Sequence, residues 1–156
     1  MPTLYGRIEG VTPVSRVANP RHCSIAGALE VVGEKWSLLV IRELFLGVRR
    51  FNEMALNTGA PRDILTTRLR RLEDAGVIER SEYSNRPPRY EYRLTRAGRD
   101  LLPVIMTLRQ WGERYVSGEV LPPVYAHSCG AIFKPRMDCT ACGQPANARS
   151  LTLQDL

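Results

Sequence analysis

The stretch Ala60 to Gly76, APRDILTTRLRRLEDAG, leaves this chain few ways to fold. Its proline stands where a first helical turn tolerates a missing N–H, and glycine closes the other end. Ile64, Leu65, Leu69 and Leu72 recur at helical spacing, which predicts an amphipathic helix whose apolar stripe must find a core. The opposite face carries Arg62, Asp63, Thr66, Thr67, Arg70 and Arg71. Guanidinium forks and short hydroxyls suit a helix lying in a major groove, where arginine reads guanine edges and phosphates. A merely solvated basic face has the same composition, so the flanking sequence has to decide.

In front of this helix, Phe51 to about Asn57 has the pattern of a short helix with Phe51, Met54 and Leu56 as packing positions. Thr58-Gly59-Ala60 then makes the turn of a helix-turn-helix. Behind it, Val77 to Tyr83 and Arg89 to Leu94 alternate apolar with polar residues around a turn-rich tip, Ser84 to Pro88. A hairpin in that place is a wing, and its Asn85, Arg86 and Arg89 suit a minor groove or the phosphate backbone. Upstream, CSIAGALEVVG predicts a helix with Ile25, Leu29 and Val32 on one face. KWSLLVIRELFLG predicts a second, with Trp36, Leu39, Val40 and Leu44 at the centre of the core. Downstream, Thr95 caps a helix in which Pro103 imposes a kink or a break. Its stripe of Leu101, Val104, Ile105, Leu108 and Trp111 is broader than a small domain can bury, so it predicts a dimer helix.

Charge points the same way. The chain carries a formal +6, and residues 49–99 alone hold 12 arginines against 7 carboxylates. Such a local arginine excess is the footprint of a nucleic-acid surface. No apolar run approaches the roughly 20 residues that cross a bilayer, so no membrane partner is expected and the cytoplasm is the expected location. The fold class that emerges is mainly α with a small β-hairpin. It comprises an N-terminal arm (1–20), a winged helix-turn-helix domain (21–94), a long dimerisation helix (95–118) and a Cys-rich tail (119–156).

The run CSIAGALEVVGEKWSLLVIRELFLGVRRFNEM, then ILTTRLRRLEDAGVIER, then RPPRYEYRLTRAGRDLLPVI, resembles the HxlR-type transcriptional regulators, relatives of the MarR group. The resemblance implies a winged helix-turn-helix homodimer that binds pseudo-palindromic operators in double-stranded DNA and regulates neighbouring genes, with repression the expected sign. Carried over by position, the recognition helix is Pro61 to Asp74 and the wing Tyr83 to Tyr90. Pro61 departs from the Ser or Thr cap frequent in the family, and Thr58 could substitute. A small molecule or an oxidant is the expected effector.

The tail is the second departure. Cys139-x-x-Cys142-Gly143 reads as a metal knuckle, Cys129-Gly130 supplies another thiolate, and His127 can complete a tetrahedral set for a structural zinc, making the tail a zinc-ribbon-like extension. Asp138 is the rival fourth ligand, and free or disulfide-forming thiols are the rival to zinc. Cys23 stands apart at a helix start beside Arg21 and His22. The resemblance implies an oxidant sensor near this position in some members; an inert residue packed at the helix start is the alternative. Two other functions fit less well. A zinc-dependent hydrolase needs a general acid or base, yet no Glu lies between Tyr125 and Ala148. A winged helix used only for protein contacts would not need the basic face. The chain is not expected to be an enzyme.

Overall fold

The leucines of the Ala60–Gly76 stretch need a partner surface. In the computed structural model, which describes residues 23–119 and 123–152, a long apolar helix supplies it. The expected arm, residues 1–20, lies outside the described residues. The chain divides into two units, Met1–Leu102 and Pro103–Leu156.

In the first unit, helix α1 (Ser24–Val32) is followed by α2 (Lys35–Phe45), α3 (Phe51–Thr58) and α4 (Arg62–Asp74). Helix α2 packs against both α3 and α4. Val40, Ile41 and Leu44 of α2, Met54 of α3 and Leu65, Leu69 and Leu72 of α4 are all buried. Two expected core positions differ. Trp36 and Leu39 are only half-buried, because α2 turns Val40, Ile41 and Leu44 inward, and the Lys35 ammonium sits 4.3 Å over the Trp36 ring. Leu56 is 83% exposed, since the inner face of the short α3 is taken by Met54. In α1 only Val32 is buried, so Ile25 and Leu29 lie outside the core of this unit.

Strands β1 (Ile78–Asn85) and β2 (Pro88–Leu94) form the antiparallel wing, with a register shift between Glu82 and Ser84. Both strands run further toward the tip than their alternation predicts, leaving Arg86 and Pro87 as the turn, joined by a cis peptide bond. A short third line of pairing was not legible in the sequence: Arg50 bridges Glu91, and the Tyr92 N–H donates to Arg49 O at 2.9 Å. A single bridge has no side-chain period to betray it.

Thr95 caps the next helix as expected, its Oγ1 accepting from the Gly98 N–H at 3.2 Å. Of the kink or break expected at Pro103 within 95–118, the structure shows the break: α5 (Arg96–Arg99), then α6 (Leu102–Gly112), then a π-helical segment, Glu113–Ser117. Pro103 explains the break: it has no N–H to give the Arg99 carbonyl four residues back, but is accommodated in the first turn of α6. In the tail two tight hairpins are pinned by the isolated bridges Ala126–Ile132 and Asp138–Pro145. No residue from 123 to 152 is buried.

Candidate nucleic-acid interface

The turn between α3 and α4 is built by three residues. Gly59 ends α3 at φ +71°, a left-handed conformation that favours glycine. Thr58 Oγ1 donates to Met54 O at 2.6 Å and accepts from the Ala60 N–H at 3.2 Å. Thr58 therefore closes α3 and the turn and does not cap α4, whose N-cap is Pro61 with no side-chain cap bond. What faces the open N-terminus of α4 is Asp63, in its first turn, where a carboxylate complements the helix dipole. This explains an acid on an otherwise cationic face without any contact to a base.

With Leu65, Leu69 and Leu72 inward, Arg62, Asp63, Thr67, Arg70 and Arg71 are exposed and Thr66 is half-buried. The hydroxyls of Thr66 and Thr67 donate back to Arg62 O and Asp63 O at 2.8 and 2.9 Å, leaving their lone pairs outward. Arg62 is held toward α3, donating to Asn52 Oδ1 at 2.9 Å and lying 4.8 Å over the Phe51 ring. Arg70 and Arg71 form no ion pair among the described residues, and neither do Arg86 and Arg89 at the exposed wing tip. The wing root is fastened: Arg80 pairs with Glu73 of α4 at 3.0 Å and covers Tyr90, while Arg50 pairs with Glu91 at 3.4 Å and covers Tyr83. Burial raises the Tyr92 phenol above its usual range, with the Arg80 cation pulling against it. Helix and wing thus present one set of fastened cations and one set of unpaired ones.

A model of HxlR-like helix-turn-helix proteins matches residues 31–120. The chain belongs to this family. An uncharacterized HTH-type transcriptional regulator of Mycobacterium tuberculosis is 49% identical over 131 residues, 83% of each chain. Among solved structures, that of PA1607 superposes with a TM-score of 0.70 at 31% identity, over 85% of this chain and 94% of that one. The oxidized redox regulator HypR superposes at 0.55 with 35% identity, over 59% of this chain and 96% of that one. This HxlR-like protein is a DNA-binding transcriptional regulator of the winged-helix type, and the hydrolase alternative falls with that assignment.

Two supports of the interface in this HxlR-like protein escaped sequence reading. Glu43 is 2% exposed, accepting from Arg42 Nη2 at 2.6 Å and from Asn57 Nδ2 at 2.8 Å, so it ties α2 to the end of α3. Arg68 lies on the inner face of α4, its Nη2 3.3 Å from Glu34, with Nε and Nη1 buried and without a hydrogen-bond partner. The signal for Arg68 was available: position 68 falls between Leu65 and Leu72 on the apolar stripe.

The cysteines are all free thiols and all exposed. Cys23 is the N-cap of α1, makes no side-chain cap bond and is exposed, and its neighbours Arg21 and His22 lie outside the described residues. In the tail, Cys139 receives the backbone N–H groups of Cys142 and Ala141 and the Cys142 thiol, which hold its own thiol below the usual range. The Cys129 N–H donates to His127 Nδ1 at 3.3 Å. Among the described residues no three His, Cys, Asp or Glu side chains converge on one point. The hairpins bring the four candidate ligands together as two pairs, His127 with Cys129 and Cys139 with Cys142. Asp138 is engaged elsewhere, by Arg136 at 2.9 Å.

Proposed function

We propose that the protein acts in the cytoplasm as a homodimeric repressor that binds a pseudo-palindromic operator. Helix α4 lies in the major groove, with Arg62, Asp63, Thr66, Thr67, Arg70 and Arg71 near bases or phosphates. Asn85, Arg86 and Arg89 of the wing follow the adjacent minor groove or backbone. The observation that carries this reading is the division of the cations: Arg50 and Arg80 brace the wing, while Arg70, Arg71, Arg86 and Arg89 remain without a carboxylate among the described residues. Unpaired arginines on a helix face and a hairpin tip are matched by phosphates and guanine edges.

Exposed apolar side chains support the second copy. Ile25 and Leu29 of α1 are 70% and 56% exposed, and Leu108 and Trp111 of α6 are 48% and 56% exposed. An isolated helix this apolar needs a covering surface. A dimer that occupies an operator represses by exclusion alone, with no further contact required. Cys23 supplies the effector input in this reading: peroxide oxidises an exposed thiol to a sulfenic acid and is itself reduced to water, and the solved homologue HypR carries the description of a redox regulator.

Selection of bound DNA from a random pool should return inverted repeats whose half-sites lie about one helical turn, roughly 34–36 Å, apart. Arg70→Ala and Arg86→Ala should each weaken binding and shallow its salt dependence by about one unit of slope. Operator affinity that is unchanged in both, or recovery of asymmetric single sites, would refute the assignment. The sensor role of Cys23 fails if peroxide leaves the operator affinity of the reduced protein untouched.

A further inference from the structure

The tail presents a physical puzzle. Residues 123–152 include no buried side chain, and Ile132, Met137 and Leu151 are each more than half exposed, yet the segment folds into two defined hairpins. A segment this short with no core needs a staple.

The two hairpins carry the same device. In the first, the His127 N–H donates to Ala131 O and the Gly130 N–H to His127 O, both at 2.8 Å. In the second, the Cys139 N–H donates to Gln144 O at 2.9 Å and the Gly143 N–H to Cys139 O at 2.7 Å. Each loop ends in Cys-Gly, and both glycines take a left-handed backbone, φ +87° at Gly130 and +71° at Gly143. The leading side chains differ. Backbone N–H groups of Cys142 and Ala141 point at the Cys139 sulfur, which keeps lone pairs for a metal. In the first loop the Cys129 N–H points at the single lone pair of His127 Nδ1, so the imidazole has to turn from that bond to ligate.

We propose that His127, Cys129, Cys139 and Cys142 form one structural zinc site, closed as the two knuckles meet around the ion, with His127 contributing its imidazole. One imidazole and three thiolates make a tetrahedral N/S set that suits zinc and disfavours hard cations. Four protein ligands leave no position for water, so the site is a staple and supports no hydrolysis. Asp138 stays outside the set, engaged by the Arg136 Nε–H, which is shared between its two oxygens at 2.9 Å from Oδ1 and 3.1 Å from Oδ2. Binding releases the thiol protons, and the neutral imidazole ligates by its lone pair, so affinity falls as pH is lowered.

The test uses the full chain purified under reducing conditions. Elemental analysis should give one zinc per chain, and cobalt(II) replacing it should show the visible bands of tetrahedral coordination with thiolate charge transfer. Cys129→Ser and His127→Ala should each lose the stoichiometric metal, whereas Asp138→Asn should keep it. Should His127→Ala prove insoluble, His127→Cys decides the point, since it should retain cobalt with a stronger thiolate band. A metal-free protein with no cobalt spectrum would overturn the proposal. So would a Cys139–Cys142 disulfide, seen as a loss of two mass units from freshly isolated protein. Full metal retention in both Cys129→Ser and His127→Ala would reduce the site to the Cys139/Cys142 pair and would also overturn it.

Discussion

At the scale of single residues, the first unit is held by a few close fits. A Cβ at Gly98 would lie 2.2 Å from Val77 O and 2.9 Å from Leu94 Cδ2. Val77 O cannot readily retreat, because it already accepts from the Thr95 N–H at 3.1 Å and from Thr95 Oγ1 at 3.1 Å. Gly98→Ala should therefore cost about 1–3 kcal/mol in urea unfolding, the usual range for overpacking. Arg68 predicts the reverse. Its side chain is 13% exposed, and two of its nitrogens have no acceptor, a desolvation cost that its contact with Glu34 offsets only in part. Arg68→Met keeps the stem and removes the stranded donors, so stability should be unchanged or raised by about 1–2 kcal/mol. A loss of that size on the same measurement would mean that Arg68 has an acceptor beyond the described residues.

At the scale of elements, the helix-turn-helix depends on a turn that points α4 outward while its leucines stay in the core. Gly59 supplies that turn, and a Cβ there meets no atom within 4 Å, so any penalty is one of conformation and not of space. Gly59→Ala should destabilise by about 1 kcal/mol, read as a lower denaturant midpoint with an unchanged slope. No change would mean that the turn can relax to a negative φ. The wing is arranged on the same logic. The Arg80–Glu73 pair and the Arg50–Glu91 bridge fix its base, and the tip residues Arg86 and Arg89 are left outward.

At the scale of the whole molecule, apolar surface is what a single copy leaves unresolved. Leu108 and Trp111 are exposed on α6, with Tyr115 5.7 Å from the Trp111 ring and 65% exposed. If the proposed dimer forms through α6, replacing both Leu108 and Trp111 by Glu should turn it into a monomer in light scattering and abolish tight operator binding, with helix content unchanged. A variant that remains dimeric would move the interface elsewhere. Among the described residues no helix is long and apolar enough to cross a membrane, so these side chains are not a spanning segment.

The sequence by itself determined the order of elements, the inward and outward faces of α4, the wing and the family, because helical period, strand alternation and glycine or proline punctuation are local properties. It also singled out the four tail residues as candidate ligands, since knuckle spacing is local too. Only the tertiary structure decided which residues carry the burden. Ile41 displaces Trp36 and Leu39 from the core, Leu56 turns to solvent, and Glu43 and Arg68 are drawn inside, because burial depends on what packs opposite. The pairing of Arg49 and Arg50 with β2 joins residues about 40 positions apart, and no local period encodes it. The division of the arginines was likewise invisible in composition: which cations are fastened and which are left without a carboxylate among the described residues follows from where the folded chain places its acids.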